Sequence, residues 1–136
     1  MAYLSGTLLT LVLLVFAFWI RLDGDRGFYP TVMLFIACYY DLFGVMGGST
    51  SALVQELLIT LVFAGVAILG FKRNLWFVVA ALLGHAGFDL VHEHVVTNPG
   101  VPLWWPAFCL SSDVAAAAFL SWRLCRTPPW WRSHET

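Results

Sequence analysis

The chain has 136 residues, of which 60% are hydrophobic and only 11% charged, and its formal net charge at pH 7 is −1. A soluble domain carries far more charge, and a domain that binds nucleic acid is strongly basic. The composition therefore excludes an ordinary soluble domain, predicts no nucleic-acid partner, and predicts an integral membrane protein in contact with membrane lipids.

Five apolar stretches are long enough to cross the hydrocarbon core of a bilayer, which takes about 20 helical residues. In chain order they cover residues 3–20, 28–46, 51–70, 75–96 and 104–125. The expected fold is an all-α integral membrane protein, in which a single domain over residues 1–126 forms a compact antiparallel bundle of five transmembrane helices. Residues 127–136 are expected to form a short cytoplasmic tail.

Short connectors with helix-breaking residues separate these stretches. Pro30 suits the first turn of the second span, and residues 47–49 form a turn with a hydroxyl available to cap the third span. Residues 98–102, with two prolines, end the fourth span. Connectors of this length make neighbouring helices antiparallel.

Basic residues divide the connectors into two kinds. All seven follow the first, third or fifth span or lie at its end: Arg21, Arg26, Lys72, Arg73, Arg123, Arg126 and Arg132. The connectors after the second and fourth spans contain no Lys or Arg. Because positive residues remain in the cytoplasm, this pattern predicts an outside N terminus, a cytoplasmic C terminus and a multi-pass location in the inner (plasma) membrane.

Ionisable residues inside the spans concentrate in one layer. At about 1.5 Å per residue, His85 and Asp113 come near the midplane, and Asp41 and Glu56 enter the outer half from spans two and three. On insertion scales, a central Asp costs roughly 2.5 to 3.5 kcal/mol. These carboxylates therefore need protons, imidazoles, a water-filled opening or a bound cation to compensate them.

Span four carries a polar stripe. The spacing of His85, Asp89 and His92 places all three on one helical face, whereas His94 points to the opposite side and Glu93 lies at the edge of the stripe. Imidazole and carboxylate ligands together suit Zn, Mn or non-haem Fe. His85, Asp89 and His92 are therefore the candidate ligands of a divalent metal, which is the one cofactor expected.

Three carboxylates from other spans are candidate catalytic residues. Asp113 and Glu56 would complete the metal shell or act as general acid and base, and Asp41, beside Tyr39 and Tyr40, faces the same pocket. These residues favour a membrane-embedded, metal-dependent enzyme acting on a lipid-like or small apolar substrate that enters from the bilayer.

Two other functions and one purely structural role remain open. One interpretation is a non-catalytic small subunit that associates with other membrane subunits or forms a homo-oligomer. The other is a protein that translocates protons or cations. Translocation is disfavoured because the inner halves of the spans lack ionisable residues. In the structural role, His85 would bond Asp113 and Asp89 would pair with His92, fastening the helices together.

The three cysteines, Cys38, Cys109 and Cys125, form no C-x-x-C motif, and thiols inside spans usually pack as small apolar groups. Cys109 lies one turn from Asp113 and is close enough to reach the polar layer.

The charge pattern makes a direct topological prediction. Reporter domains fused after Gly48 and after Gly100 should be outside the cytoplasm, and a reporter fused after Arg73 should be inside, because basic connectors are retained in the cytoplasm. Alkaline phosphatase and fluorescent-protein fusions at the three positions measure this. Any other distribution would contradict the five-span arrangement.

Overall fold

The computed structural model describes residues 1–128, and this part of the chain forms five α-helices with no strand. The helices are α1 (Ala2–Trp19), α2 (Phe28–Met46), α3 (Thr50–Lys72), α4 (Trp76–Val95) and α5 (Trp105–Arg126). The predicted bounds agree with these to within two residues at every end. Residues 129–136, most of the predicted tail, lie outside the described residues.

Four of the helices, α1, α2, α3 and α5, are long and apolar enough to cross a membrane. The 20-residue α4 is not among them, because the polar residues of its second half lower its mean hydropathy. The all-α fold is therefore confirmed, together with the presence of helices whose length and composition would allow them to cross a membrane. The fifth span and the orientation of the termini stay predictions.

Local sequence explains where the helices begin and end. The backbone N–H of Ala52 donates to Ser49 Oγ at 3.2 Å, so Ser49 caps α3 as predicted. Pro30 lies in the first turn of α2, where a missing N–H costs little. At the start of α4, the N–H of Trp76 donates to Asn74 Oδ1 at 3.0 Å.

The helices pack so that α4 lies at the centre. It contacts α5 on one side and α3 and α2 on the other, while α1 packs on α5 and α2 packs on α3. An apolar core, which includes Met33, Leu82 and Leu120, fills the space between α2, α4 and α5. The central position of α4 places its polar stripe inside the bundle.

The connectors meet at two opposite ends of the bundle. At the first, which we call the Gly48 end, the backbone of Gly100 contacts those of Gly47 and Phe43 so closely that a side chain at residue 100 would clash. At the second, the Arg73 end, Arg26 Nε donates to the carbonyl oxygen of Phe71 at 2.7 Å.

A buried ion pair fastens the Arg73 end. The carboxylate of Asp23, in the connector after α1, lies 2.7 Å from Arg123 Nε of α5, and Asp23 is only 1% exposed. The hydroxyl of Tyr29 donates to the same carboxylate at 3.2 Å. This contact joins the connector to α2 and α5, at the opposite end from the connector that holds Gly48.

Candidate metal centre

The polar stripe of α4 faces the bundle interior as its spacing predicts. His85, Asp89 and His92 are each no more than 4% exposed, whereas Glu93 and His94 on the same helix are exposed. Burial of the stripe brings these side chains against α2, α3 and α5. Each of the three side chains forms a hydrogen bond with a different residue of these helices.

His85 bonds α5. Its Nδ1 lies 2.7 Å from Asp113 Oδ2, and both side chains are at most 1% exposed. The contact joins the two helices near their middles, at the depth that residue counting predicts. A contact of this length between an imidazole and a carboxylate is a strong hydrogen bond, with one proton between the two groups.

Four buried side chains converge around this contact to form what we call the metal cluster. One ligand atom from each of them lies within 4.8 Å of the others, which is the spacing of a site that can hold a metal ion. His85 Nδ1 is 3.8 Å from Asp89 Oδ2 and 4.0 Å from Cys109 Sγ. The members are His85, Asp89, Cys109 and Asp113.

Two carboxylate oxygens of the metal cluster lack a hydrogen-bond partner. Asp89 Oδ1 accepts a bond from the Tyr40 hydroxyl at 2.6 Å, but its Oδ2 has no partner, and neither does Asp113 Oδ1. A buried carboxylate oxygen without a donor is costly in an apolar interior. Both atoms are acceptors that a cation would satisfy.

His92 and Glu56 form a separate pair. His92 Nε2 lies 2.7 Å from Glu56 Oε1, which also accepts a bond from the Asn98 side chain at 3.0 Å. The expected pairing of His92 with Asp89 is therefore wrong. The His92 imidazole instead forms a hydrogen bond with Glu56 of α3, and the Asp89 carboxylate accepts one from Tyr40 of α2. His92 and Glu56 are not members of the metal cluster.

Aromatic rings enclose both groups. The Tyr40 ring stacks on His92, with centroids 4.2 Å apart and planes inclined by 24°, and Phe63 contacts His85 edge-on at 4.9 Å. Phe88 packs edge-on against His92 at 5.2 Å. The rings restrict the rotamers of the imidazoles, and they exclude water from their faces.

The six predicted site residues thus divide into three sets. His85, Asp89 and Asp113 belong to the metal cluster, whereas His92 and Glu56 form the neighbouring pair. Asp41 is only partly buried, joins neither set, and its Oδ1 has no hydrogen-bond partner.

Sequence reasoning missed the contacts of Tyr40 and Asn98 and gave Cys109 little weight. Cys109 precedes Asp113 by one helical turn, and this i, i+4 spacing already placed it within reach of the polar layer. Tyr40 was predicted to line a pocket with Asp41, but its hydroxyl bonds Asp89 instead. Asn98 appeared only as part of a connector, and nothing in its local sequence indicates that it reaches Glu56 and the carbonyl oxygen of Tyr40.

A cavity at the Gly48 end adjoins the metal cluster. Its volume is about 220 Å³, and it lies between α4, α5 and the start of α1. Asp89 forms part of its wall, although the Asp89 side chain itself is fully buried. Glu93 and His94 line the same cavity and add a carboxylate and an imidazole beside the cluster.

Comparison of the chain with protein-family models, with curated proteins and with solved structures gives no match. The proposed function therefore rests on the residues and their geometry alone.

The pairing of His85 with Asp113 makes a thermodynamic prediction. Replacing either residue by Ala should lower the free energy of unfolding by about 3 kcal/mol or more, because the remaining partner stays buried and unpaired. The double variant should lose less than the sum of the two single losses, by about 1 kcal/mol or more. Equilibrium unfolding in detergent measures all three.

The matched control for this cycle combines Asp113→Ala with His94→Ala, which removes an exposed imidazole from the same helix. That pair should be additive. Strict additivity for His85 and Asp113 as well would show that the two side chains do not stabilise each other.

Proposed function

We propose that the protein is a membrane-embedded, metal-dependent enzyme whose metal is bound by His85, Asp89 and Asp113. A metal held by these residues would supply Lewis-acid activation of an oxygen atom of a lipid-like substrate. The observation that carries this proposal is the convergence of three ligand side chains with two unpartnered carboxylate oxygens, Asp89 Oδ2 and Asp113 Oδ1, in a buried cluster.

Charge balance determines how many ligands the site uses. A divalent cation with two carboxylates and a neutral imidazole has no net charge, which an apolar bundle tolerates. Adding the Cys109 thiolate would leave one uncompensated negative charge. Among residues 1–128, every Lys and Arg lies toward the Arg73 end. Cys109 therefore stays a neutral thiol next to the metal.

Three protein ligands leave a coordination position open. Catalytic zinc sites have this arrangement, with water or substrate in the fourth position, whereas structural zinc sites are closed by four protein ligands. The metal supplies Lewis-acid activation of a carbonyl oxygen or of water. The donor set of one imidazole and two carboxylates is compatible with Zn, Mn and Fe.

One of the two separations from His85 Nδ1 is close to that of a metal site. With ligand bonds of about 2.0 to 2.2 Å, neighbouring ligand atoms of a tetrahedral site lie roughly 3.3 to 3.6 Å apart. His85 Nδ1 is 3.8 Å from Asp89 Oδ2 but only 2.7 Å from Asp113 Oδ2, which is a hydrogen-bond distance. A bound metal would replace the proton of this hydrogen bond, so the shorter separation should lengthen on metal binding and acid should weaken the binding.

The neighbouring groups position the ligands. Tyr40 donates to Asp89 Oδ1 and so orients Oδ2 toward His85, and His92 holds the Tyr40 ring by stacking. His92 lies seven residues from His85, or about 10 Å along α4, which is too far to share a metal with it. We therefore assign His92 and Glu56 a positioning role and not a ligand role.

The alternative of proton or cation translocation has less support. Between Asp113 and the Asp23–Arg123 pair, α5 contributes buried Ala116, Ala117 and Leu120 over about 15 Å. These apolar side chains belong to the core of the bundle. No chain of polar groups crosses this layer among the described residues.

Metal content tests the proposal. Purified protein that is loaded with Zn²⁺ and then dialysed should retain about one equivalent of zinc per chain, whereas His85→Ala should retain almost none because a three-ligand site cannot lose its imidazole. Cys109→Ala should keep the metal. Inductively coupled plasma mass spectrometry gives the stoichiometry.

One variant controls for indirect effects. His94→Ala removes an exposed imidazole from the same helix and should retain zinc. A wild-type protein that binds no Zn, Mn or Fe would contradict the proposal. It would instead support a purely structural polar layer in a non-catalytic subunit.

A further inference from the structure

A second cavity, which we call the apolar cleft, opens between α1, α2 and α5. Its volume is about 390 Å³. Nearly all of its walls are hydrocarbon, from side chains such as Leu13, Ile36 and Phe108, and the few residues with polar groups are Thr10, Tyr39, Trp105, Cys109 and Ser112. The mechanism described above does not use this space.

The apolar cleft reaches the metal cluster through a single side chain. Cys109 lines the cleft, and its Sγ lies 4.0 Å from His85 Nδ1. Asp113 follows Cys109 by one turn of α5, so the two side chains lie on the same part of the helix surface. A group at the Cys109 wall of the cleft is thus adjacent to the open metal position.

The dimensions of the apolar cleft fit one hydrocarbon chain. Along α5 its wall runs from Trp105 to Ala116, which is about 16 Å of helix. At about 30 Å³ for each water-sized group, the volume holds roughly a dozen such groups. This is the size of one chain, and a lipid with two long chains would exceed it.

The walls of the apolar cleft allow entry from the side. The α1 wall carries Leu9, Leu13 and Phe16, each more than half exposed. Because α1 packs mainly on α5, its other surfaces are free to contact lipid in a bilayer. A chain can therefore pass from the bilayer into the cleft without crossing a polar surface.

We infer that the substrate is a single-chain lipid, which lies in the apolar cleft with its oxygen-bearing head at Cys109. This inference rests on the proposed metal site for its chemistry and on the cleft for its specificity. The chain extends from Cys109 toward Leu22 and Phe28, which line the cleft near the Arg73 end. The head meets the metal where the fourth ligand position is open.

Photo-crosslinking tests this placement. The probe is a dodecanol analogue, whose head is uncharged, with a diazirine beside its hydroxyl end, added to the purified protein in nanodiscs. Mass spectrometry should find the label on α5 near Cys109 and on the facing residues of α1 and α2. Excess unlabelled dodecanol should compete with the probe, since the cleft holds one chain.

Filling the apolar cleft should prevent labelling. Val32→Trp and Thr10→Trp narrow it from opposite walls, and each should lower labelling near Cys109 by about tenfold. Val62→Trp adds the same ring on the exposed surface of α3 and should leave the labelling unchanged. Thermal unfolding of each variant shows whether it is folded, and agreement between the two cleft variants guards against a folding defect in either one.

The outcomes separate the two proposals. Saturable labelling at Cys109 that survives in His85→Ala would support the chain site even if no metal is bound. Labelling that is spread evenly over the lipid-facing helices, or that neither Trp variant reduces, would overturn the single-chain inference while leaving the metal proposal to its own test.

Discussion

The hydrogen bond between His85 Nδ1 and Asp113 Oδ2, 2.7 Å long, determines how α4 and α5 pack. Both groups are buried in an apolar bundle, and a buried carboxylate needs a proton or a positive partner. In the sequence, the Lys and Arg residues are confined to the connectors around Arg26 and Arg73 and to the last turn of α5 and beyond. The negative charge of Asp113 must therefore be compensated by an imidazole, a proton or a metal ion. For the His85 imidazole to do this, α4 and α5 must stay in contact.

The same constraint organises the neighbouring helices. Tyr40 of α2 bonds Asp89, Glu56 of α3 bonds His92, and Asn98 links Glu56 to the backbone of Tyr40. The first two contacts join α2 and α3 to α4, and the third joins the connector after α4 to both, so the polar layer is consistent with the central position of α4. Below it, toward the Arg73 end, the packing is apolar until the Asp23–Arg123 pair. The bundle thus combines one polar layer, which can bind a cation, with an apolar cleft that reaches it at Cys109.

Hydrophobic length and helix periodicity were sufficient to predict the fold and part of the site. The five helices and the buried face shared by His85 and Asp89 follow from patterns within single segments. Partner choice does not, because it depends on how helices rotate against each other. His92 was therefore grouped with the metal ligands, although α3 presents Glu56 to it. The closeness of Cys109 to the polar layer was given little weight, because a thiol inside a span usually packs as an apolar group.

In the proposed function, the metal site is open and electrically neutral. X-ray absorption spectroscopy of the zinc-loaded protein tests this most directly. We predict a first shell of nitrogen and oxygen atoms only, at about 2.0 to 2.1 Å, with His85 supplying the imidazole. A sulfur atom at about 2.3 Å would show that Cys109 is a ligand. The site would then be closed by four protein ligands and negatively charged, which would contradict both the charge argument and the catalytic role.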